Sequence, residues 1–213
     1  MDPKKLYISD LHLGHKGVLR LDGRPFADLE EMTEVIVERW NGAVRPQDHV
    51  YLLGDVMWTG GDQNQDILRR LNGNLHLIIG NHDRWAKDKR HIKIFRSVEH
   101  FSEIKDGDYK VTLSHIPMPW FRSHRHPGAV HLYGHVHMTE EFKEVLIAQK
   151  RLMDNEMTRS RGQAFNVGAM LPYMDYTPRT LEEILVAGRR FNEEFYKDED
   201  FFSSTVRKGG SDE

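Results

Sequence analysis

Five places in the chain set oxygen- and imidazole-bearing residues directly after a short apolar run: Asp10 and His12, Gly54-Asp55, Gly80-Asn81-His82-Asp83, His115, and Gly134-His135 with His137. Alternate residues of an extended segment point the same way, so Asp10 with His12, and His135 with His137, can each grip one ion. The sequence holds 13 histidines and no cysteine, so any metal must be bound by oxygen and imidazole nitrogen rather than thiolate. Each piece alone has a plain alternative. Asp-x-His is commonly a strand-end turn, Gly-Asn-His-Asp suits a turn by composition, and Gly-Asp says little. Those alternatives do not account for five run ends that all supply oxygen or imidazole, whereas a metal centre does.

The runs that must position these groups span residues 6–8, 49–53, 75–79, 109–113 and 129–133, each short and β-prone enough to be a buried strand. A helix is predicted after Asp28, whose capping-box partner is Glu31, with Leu29, Met32, Ile36 and Trp40 on one face and Gly42 near its end. A second covers about residues 62–71, and a last one starts at Thr180, paired with Glu183, and buries Leu181, Ile184 and Leu185. Strand alternating with helix predicts an α/β fold with parallel pairing in the first half. The second half is richer in consecutive strands, and residues 140–152 fit a helix or a strand and turn equally. Ligands of open α/β sheets bind beyond the carboxyl ends of the strands, so groups far apart in sequence can meet in one crevice. The glycines before Asp55, Asn81 and His135 fit sharp turns or close backbone approach there.

A chain of 213 residues with 38% hydrophobic content is expected to form one catalytic domain over residues 1–196, followed by a charged, then Ser- and Gly-rich, mobile tail over 197–213. With 30 basic against 33 acidic side chains there is no overall positive field to favour nucleic acid or anionic membrane. A nucleic-acid role would rest on the Trp120–His126 segment and the basic stretch over 87–93 alone. The N-terminal segment lacks the long apolar stretch of a signal peptide and no later run suits a membrane span, so the expected location is the cytoplasm.

The ordered set Asp-x-His, Gly-Asp, Gly-Asn-His-Asp, His, Gly-His-x-His resembles the signature of the calcineurin-like metallophosphoesterases. SDLHLGH, Arg24-Pro25-Phe26, VYLLGDV, HLYGHVH and FNVG with DYTPRTLEEIL are similar, more narrowly, to small phosphoesterases of bacteria and bacteriophages, a likeness that covers about residues 5–190. The resemblance implies a β-sandwich of two sheets flanked by helices, with metal ligands on loops at the strand ends. It implies one metal held by Asp10, His12 and His137, a second held by Asn81, His115 and His135, and Asp55 bridging both. A shared carboxylate offsets repulsion between dications about 4 Å apart, and a bridging water between them is acidified to the hydroxide that would attack a phosphate ester. His82 would then serve as the general acid beside the leaving group, with Asp83 orienting its ring.

The implied cofactors are two divalent ions, with Mn²⁺ expected and Fe²⁺, Zn²⁺ and Ni²⁺ compatible with the same donors. The implied partner is a small phosphate ester, nucleotides included. Diesters are favoured over monoesters because the compact chain leaves little room for a cap domain, and a non-catalytic scaffold is disfavoured because no ligand is missing. His15 completes Asp-x-His-x-x-His and is either a substrate contact or a turn residue. Trp120, Arg122, His124 and Arg125 mix aromatic and cationic groups suited to stacking a base and holding a phosphate, the alternative being a solvated loop. Two departures stand out: the stretch over 138–163 is longer than this branch leads one to expect, and Met170 stands where a carboxylate is common. Asp22 lies outside every motif, and its loss is expected to matter little.

Overall fold

The computed structural model describes residues 2–58 and 62–197. β1 (Lys5–Ile8), β2 (His49–Leu52), β3 (Asn74–Ile78) and β4 (Ser97–Glu99) form a parallel sheet in the order β4-β3-β2-β1, and β9 (Arg179–Thr180) adds antiparallel to the outer edge of β1. A short helix α1 (Val18–Leu21) and the longer α2 (Leu29–Ala43) connect β1 to β2, and α3 (Asp62–Arg69) connects β2 to β3. This is the crossover geometry that parallel pairing demands. The second sheet is mixed, in the order β5-β6-β7-β8, from β5 (Phe101–Asp106), β6 (Tyr109–Ser114), β7 (Ala129–Tyr133) and β8 (Gln163–Asn166). Only β5 and β6 pair antiparallel, through a turn at Gly107.

Local chemistry explains the helix limits. The Asp28 carboxylate accepts the Glu31 amide at 2.9 Å, Glu31 reaches back to the Ala27 amide, and Met32, Ile36 and Trp40 are buried on the inner face of α2. The Thr180 and Glu183 side chains cap α5 (Leu181–Lys197), which buries Leu181, Ile184, Leu185 and Phe191. The segment over 140–152 is helical: α4 (Glu140–Asp154) buries Phe142 and Leu146, four residues apart on one face. It accounts for the length of the stretch over 138–163.

All five residues of β7 are buried, as befits a strand covered on both faces. The sheets are tied at one edge, where the Ser9 amide donates to Val167 and the Ala169 amide to Ser9, each at 2.9 Å. From within β1 the Tyr7 hydroxyl donates to Asp106 of β5 at 2.8 Å. Two mixed sheets flanked by helices are the architecture the motifs implied. Of the expected tail only Lys197, the end of α5, lies within the described residues. No helix among the described residues is long and apolar enough to cross a membrane.

Candidate metal centre

The strand ends are laced together by backbone hydrogen bonds. The Asp10 amide donates to Gly54 at 3.0 Å, the His12 amide to Asp55 at 2.9 Å, and the Gly134 amide to His115 at 2.9 Å. Eight non-glycine residues adopt positive φ among those described, and four of them are Asp10, His12, Asp55 and His135, with φ of 56°, 52°, 52° and 72°. Each such conformation costs an L-residue roughly 1–2 kcal/mol, so backbone strain gathers where the candidate ligands are. The neighbouring glycines admit no side chain. A Cβ on Gly54 (φ +88°) would run into the His115 ring and lie 2.7 Å from the Gly80 Cα, one on Gly80 would overlap Asp55, and one on Gly134 would overlap Asp10 and Ser9.

These turns build two adjoining clusters. Asp10, His12 and His137 offer ligand atoms that all lie within 4.8 Å of one another, and so do Asp55, His115 and His135. The Asp55 Oδ2 is 3.4 Å from the His115 Nε2 and 3.8 Å from the His12 Nε2, which places it between the clusters. Asn81 brings its Oδ1 to 2.9 Å from the His115 Nε2. The Nε2 atoms of His12 and His137 are 3.2 Å apart. The set fits divalent cations: every donor is an oxygen or an imidazole nitrogen, and Asp10 and Asp55 are 1% and 2% exposed, a burial of negative charge that demands cationic partners.

Electrostatics follow from that crowding. Burial alone would raise the Asp10 carboxyl, but the hydrogen bond with His137 and the nearby His115 hold it well below the usual carboxylate range. Asp55 is likewise held down against its burial, chiefly by His115. Burial pulls on both His137 and His115 toward the neutral form, yet Asp10 and Asp22 hold His137 up to about 10, and Asp55 and Asp10 hold His115 up to about 9. Burial pushes His12 and His135 down.

The surroundings bear on three expectations. Asp22 is no bystander: its Oδ1 accepts the His137 Nδ1–H at 2.6 Å, and its side chain is only 4% exposed. The buried Arg24 holds the other Asp22 oxygen at 2.9 Å and donates to the backbone carbonyls of Asp10 and Leu11, each at 2.8 Å. The hydrogen bonds of Asp83 go to groups other than the His82 ring. Its carboxylate accepts the amides of Asp55, Val56 and Gly80 and the Trp85 indole N–H, so it braces the strand-end turns, and burial raises its pKa.

His82 donates its backbone amide to the Asp55 Oδ1 at 2.8 Å, and its half-exposed ring has Nε2 at 4.0 Å from the Asp55 Oδ2. That ring lies against Trp58, with centroids 4.9 Å apart, and the other neighbour of Trp58 is His15, stacked at 3.8 Å. His15 is therefore brought to the rim of the centre, whereas Trp58, in none of the sequence motifs, was missed. The third concerns the loop after His115. Phe121 is buried against His131, Arg122 pairs with Glu103 at 2.7 Å, and His124 faces Ser160, so the hydrogen bonds and ring contacts of this loop go to β5, β7 and the chain before β8 rather than to either cluster. Trp120 and Arg125 are exposed. Asn166 was also unforeseen: its side chain is buried and donates to the Val136 carbonyl at 2.7 Å, fixing the turn that carries His135 and His137.

A two-sheet sandwich with paired carboxylate and imidazole clusters on one edge is the arrangement of a metal-dependent phosphoesterase. Residues 4–180 match the calcineurin-like phosphoesterase superfamily domain, and the chain belongs to that superfamily. Among similar proteins, the uncharacterized protein MJ1445 of Methanocaldococcus jannaschii is 30% identical over 145 residues, 67% of this chain and 76% of that protein. The gene 66 protein of Mycobacterium phage L5 is 34% identical over 82 residues, 36% of this chain and 38% of its relative. The crystal structure of AQ665 from Aquifex aeolicus, a protein of unknown function, superposes with a TM-score of 0.64 at 23% identity over 87% of this chain and 100% of that one, a likeness of fold.

Proposed function

We propose that this protein hydrolyses phosphodiesters with two divalent cations. Asp10, His12 and His137 would hold one and Asn81, His115 and His135 the other, with Asp55 shared. The observation that carries the reading is the position of Asp55, whose one oxygen lies within 3.8 Å of an imidazole nitrogen from each cluster. When bound, the cations would supply Lewis-acid activation of water and neutralisation of phosphoryl charge. Mn²⁺ is the ion we favour.

The chain's own groups do the rest. The shared carboxylate would offset repulsion between the two like charges, the strained turns hold the ligands in place before any substrate arrives, and His82, half exposed beside Asp55, can deliver a proton to the departing oxygen. The packing of its ring against Trp58 limits the directions in which that proton can be offered. Preference for a diester is supported by the charges at hand. Arg24 is the cation bonded to the turn that carries Asp10 and His12, and all its donor groups are taken by Asp22, Met32 and backbone carbonyls, so it offers nothing to the second charge of a monoester. The test compares Mn²⁺-loaded protein on a bis-aryl phosphodiester and on the aryl monoester of the same leaving group. We expect kcat/KM to favour the diester, and a reversed ratio would make the protein a phosphomonoesterase.

A further inference from the structure

The two clusters are alike in donor type but not in what stands behind them. In the first, Asp22 fixes the His137 tautomer by accepting the Nδ1–H at 2.6 Å, which leaves Nε2 as the nitrogen facing Asp10 at 3.5 Å and His12 at 3.2 Å. Arg24 then joins Asp22 to the backbone of Asp10 and Leu11. One buried guanidinium thereby ties the acid that holds His137 to the backbone of the turn that carries Asp10 and His12. In the second cluster His115 backs onto a neutral acceptor, the Leu53 carbonyl at 2.8 Å, and Asn81 contributes an uncharged amide where the first cluster has Asp10.

We infer that Asp22 and Arg24 are positioning residues that make the two cation sites unequal, with the Asp10, His12 and His137 site the tighter and the first to fill. The inference rests on the proposed two-cation reading. Its physical basis is pre-organisation and the carboxylate of Asp10 more than added charge, because Arg24 offsets the charge of Asp22. Hydrogen-bonded carboxylates behind a ligating histidine fix its ring and raise its basicity, and their removal typically weakens metal binding by about 10- to 100-fold.

The experiment titrates metal-free protein with Mn²⁺ alone and follows bound ion by calorimetry and electron paramagnetic resonance. Wild type should bind in two steps of different affinity. Asp22→Asn, which keeps the size of the side chain, should weaken the tight step by about 10- to 100-fold and leave the weak step in place, while Asn81→Ala should weaken the weak step. A tight step that Asp22→Asn leaves untouched, or that Asn81→Ala removes, overturns the inference and spares the two-cation reading. A wild type that binds no Mn²⁺ overturns both. A second measurement needs no variant: with histidine ¹⁵N-labelled and the protein loaded with one equivalent of Zn²⁺, His137 should carry its proton on Nδ1 and the metal on Nε2. The opposite tautomer, or Zn²⁺ on His115 and His135 at one equivalent, contradicts the inference.

Discussion

Gly54→Ala sets a single methyl group against the centre of the strand-end lacing. Gly54 sits at φ +88°, and an added Cβ would collide with the His115 ring and lie 2.7 Å from the Gly80 Cα, a backbone atom that cannot swing aside. The backbone conformation costs an alanine roughly 1–2 kcal/mol, and forcing atoms into a packed site adds about 1–3 kcal/mol. The expected loss is therefore about 2–5 kcal/mol, or a fall of roughly 4–20 °C in melting temperature for a domain of this size. Gly42→Ala is the matched control. It makes the same chemical change in the last turn of α2, where a Cβ meets nothing within 4 Å, and should raise stability by about 0.5–1 kcal/mol. Thermal and urea melts of both variants, made without metal so that binding does not contribute, measure the difference. If Gly54→Ala melts within a degree of wild type, the close approach of the three strand ends is wrong, and with it the placement of His115.

Other consequences can be checked alongside. His131 is fully buried with Nδ1 directed at the Thr112 carbonyl and Nε2 accepting the Met118 amide, and burial pushes it down to about 4 from 6.5. The unfolded chain takes up this proton below 6.5 and the folded chain only near 4, so stability present above 6.5 is lost as pH falls between those values, by about 3 kcal/mol; urea midpoints at pH 7 and 4.5 should show this loss in wild type and a smaller one in His131→Asn. His82→Ala should keep its metal yet lose about 10²- to 10⁴-fold in turnover on esters with alkyl or nucleoside leaving groups, and much less on nitrophenyl diesters, whose leaving group barely needs a proton. Equal losses on both would reject proton delivery by His82. Arg122→Ala breaks an exposed ion pair with Glu103, so it should shift stability by less than about 1 kcal/mol and leave turnover unchanged, whereas a large rise in KM would restore that loop to the substrate site.

The candidate ligands were legible because each lies next to an apolar run in sequence, and strand polarity alone brings those ends to one edge. Gly54, Gly80 and Gly134 were readable for the same reason, since a close approach leaves a glycine as its trace. The supporting layer was not. Asp22 meets His137 across 115 residues, and nothing in the local sequence of a turn after α1 announces that contact. Adjacency to His82 does not reveal that the turn points the Asp83 carboxylate back at three backbone amides. In the loop from Trp120 to His126 composition does not separate ligand-facing from packing side chains: Phe121 is buried and Arg122 pairs with Glu103 of β5. β5 itself alternates half-buried and exposed positions with charges on it, and β9 has two residues, so neither leaves an apolar run to detect. The segment over 140–152 became a helix through the pairing of Phe142 with Leu146, a spacing that was present in the sequence but shared with the alternative.

The most direct test of the account is the metal content of Asp55→Ala beside wild type, each stripped with chelator, reloaded with Mn²⁺ and assayed on an activated aryl phosphodiester. Wild type should lose activity on stripping, regain it on reloading and carry an ion at each of its two clusters. Asp55→Ala should bind less metal and turn over almost nothing. Full occupancy in the variant, or undiminished hydrolysis by the stripped wild type, would contradict a centre built on a shared carboxylate.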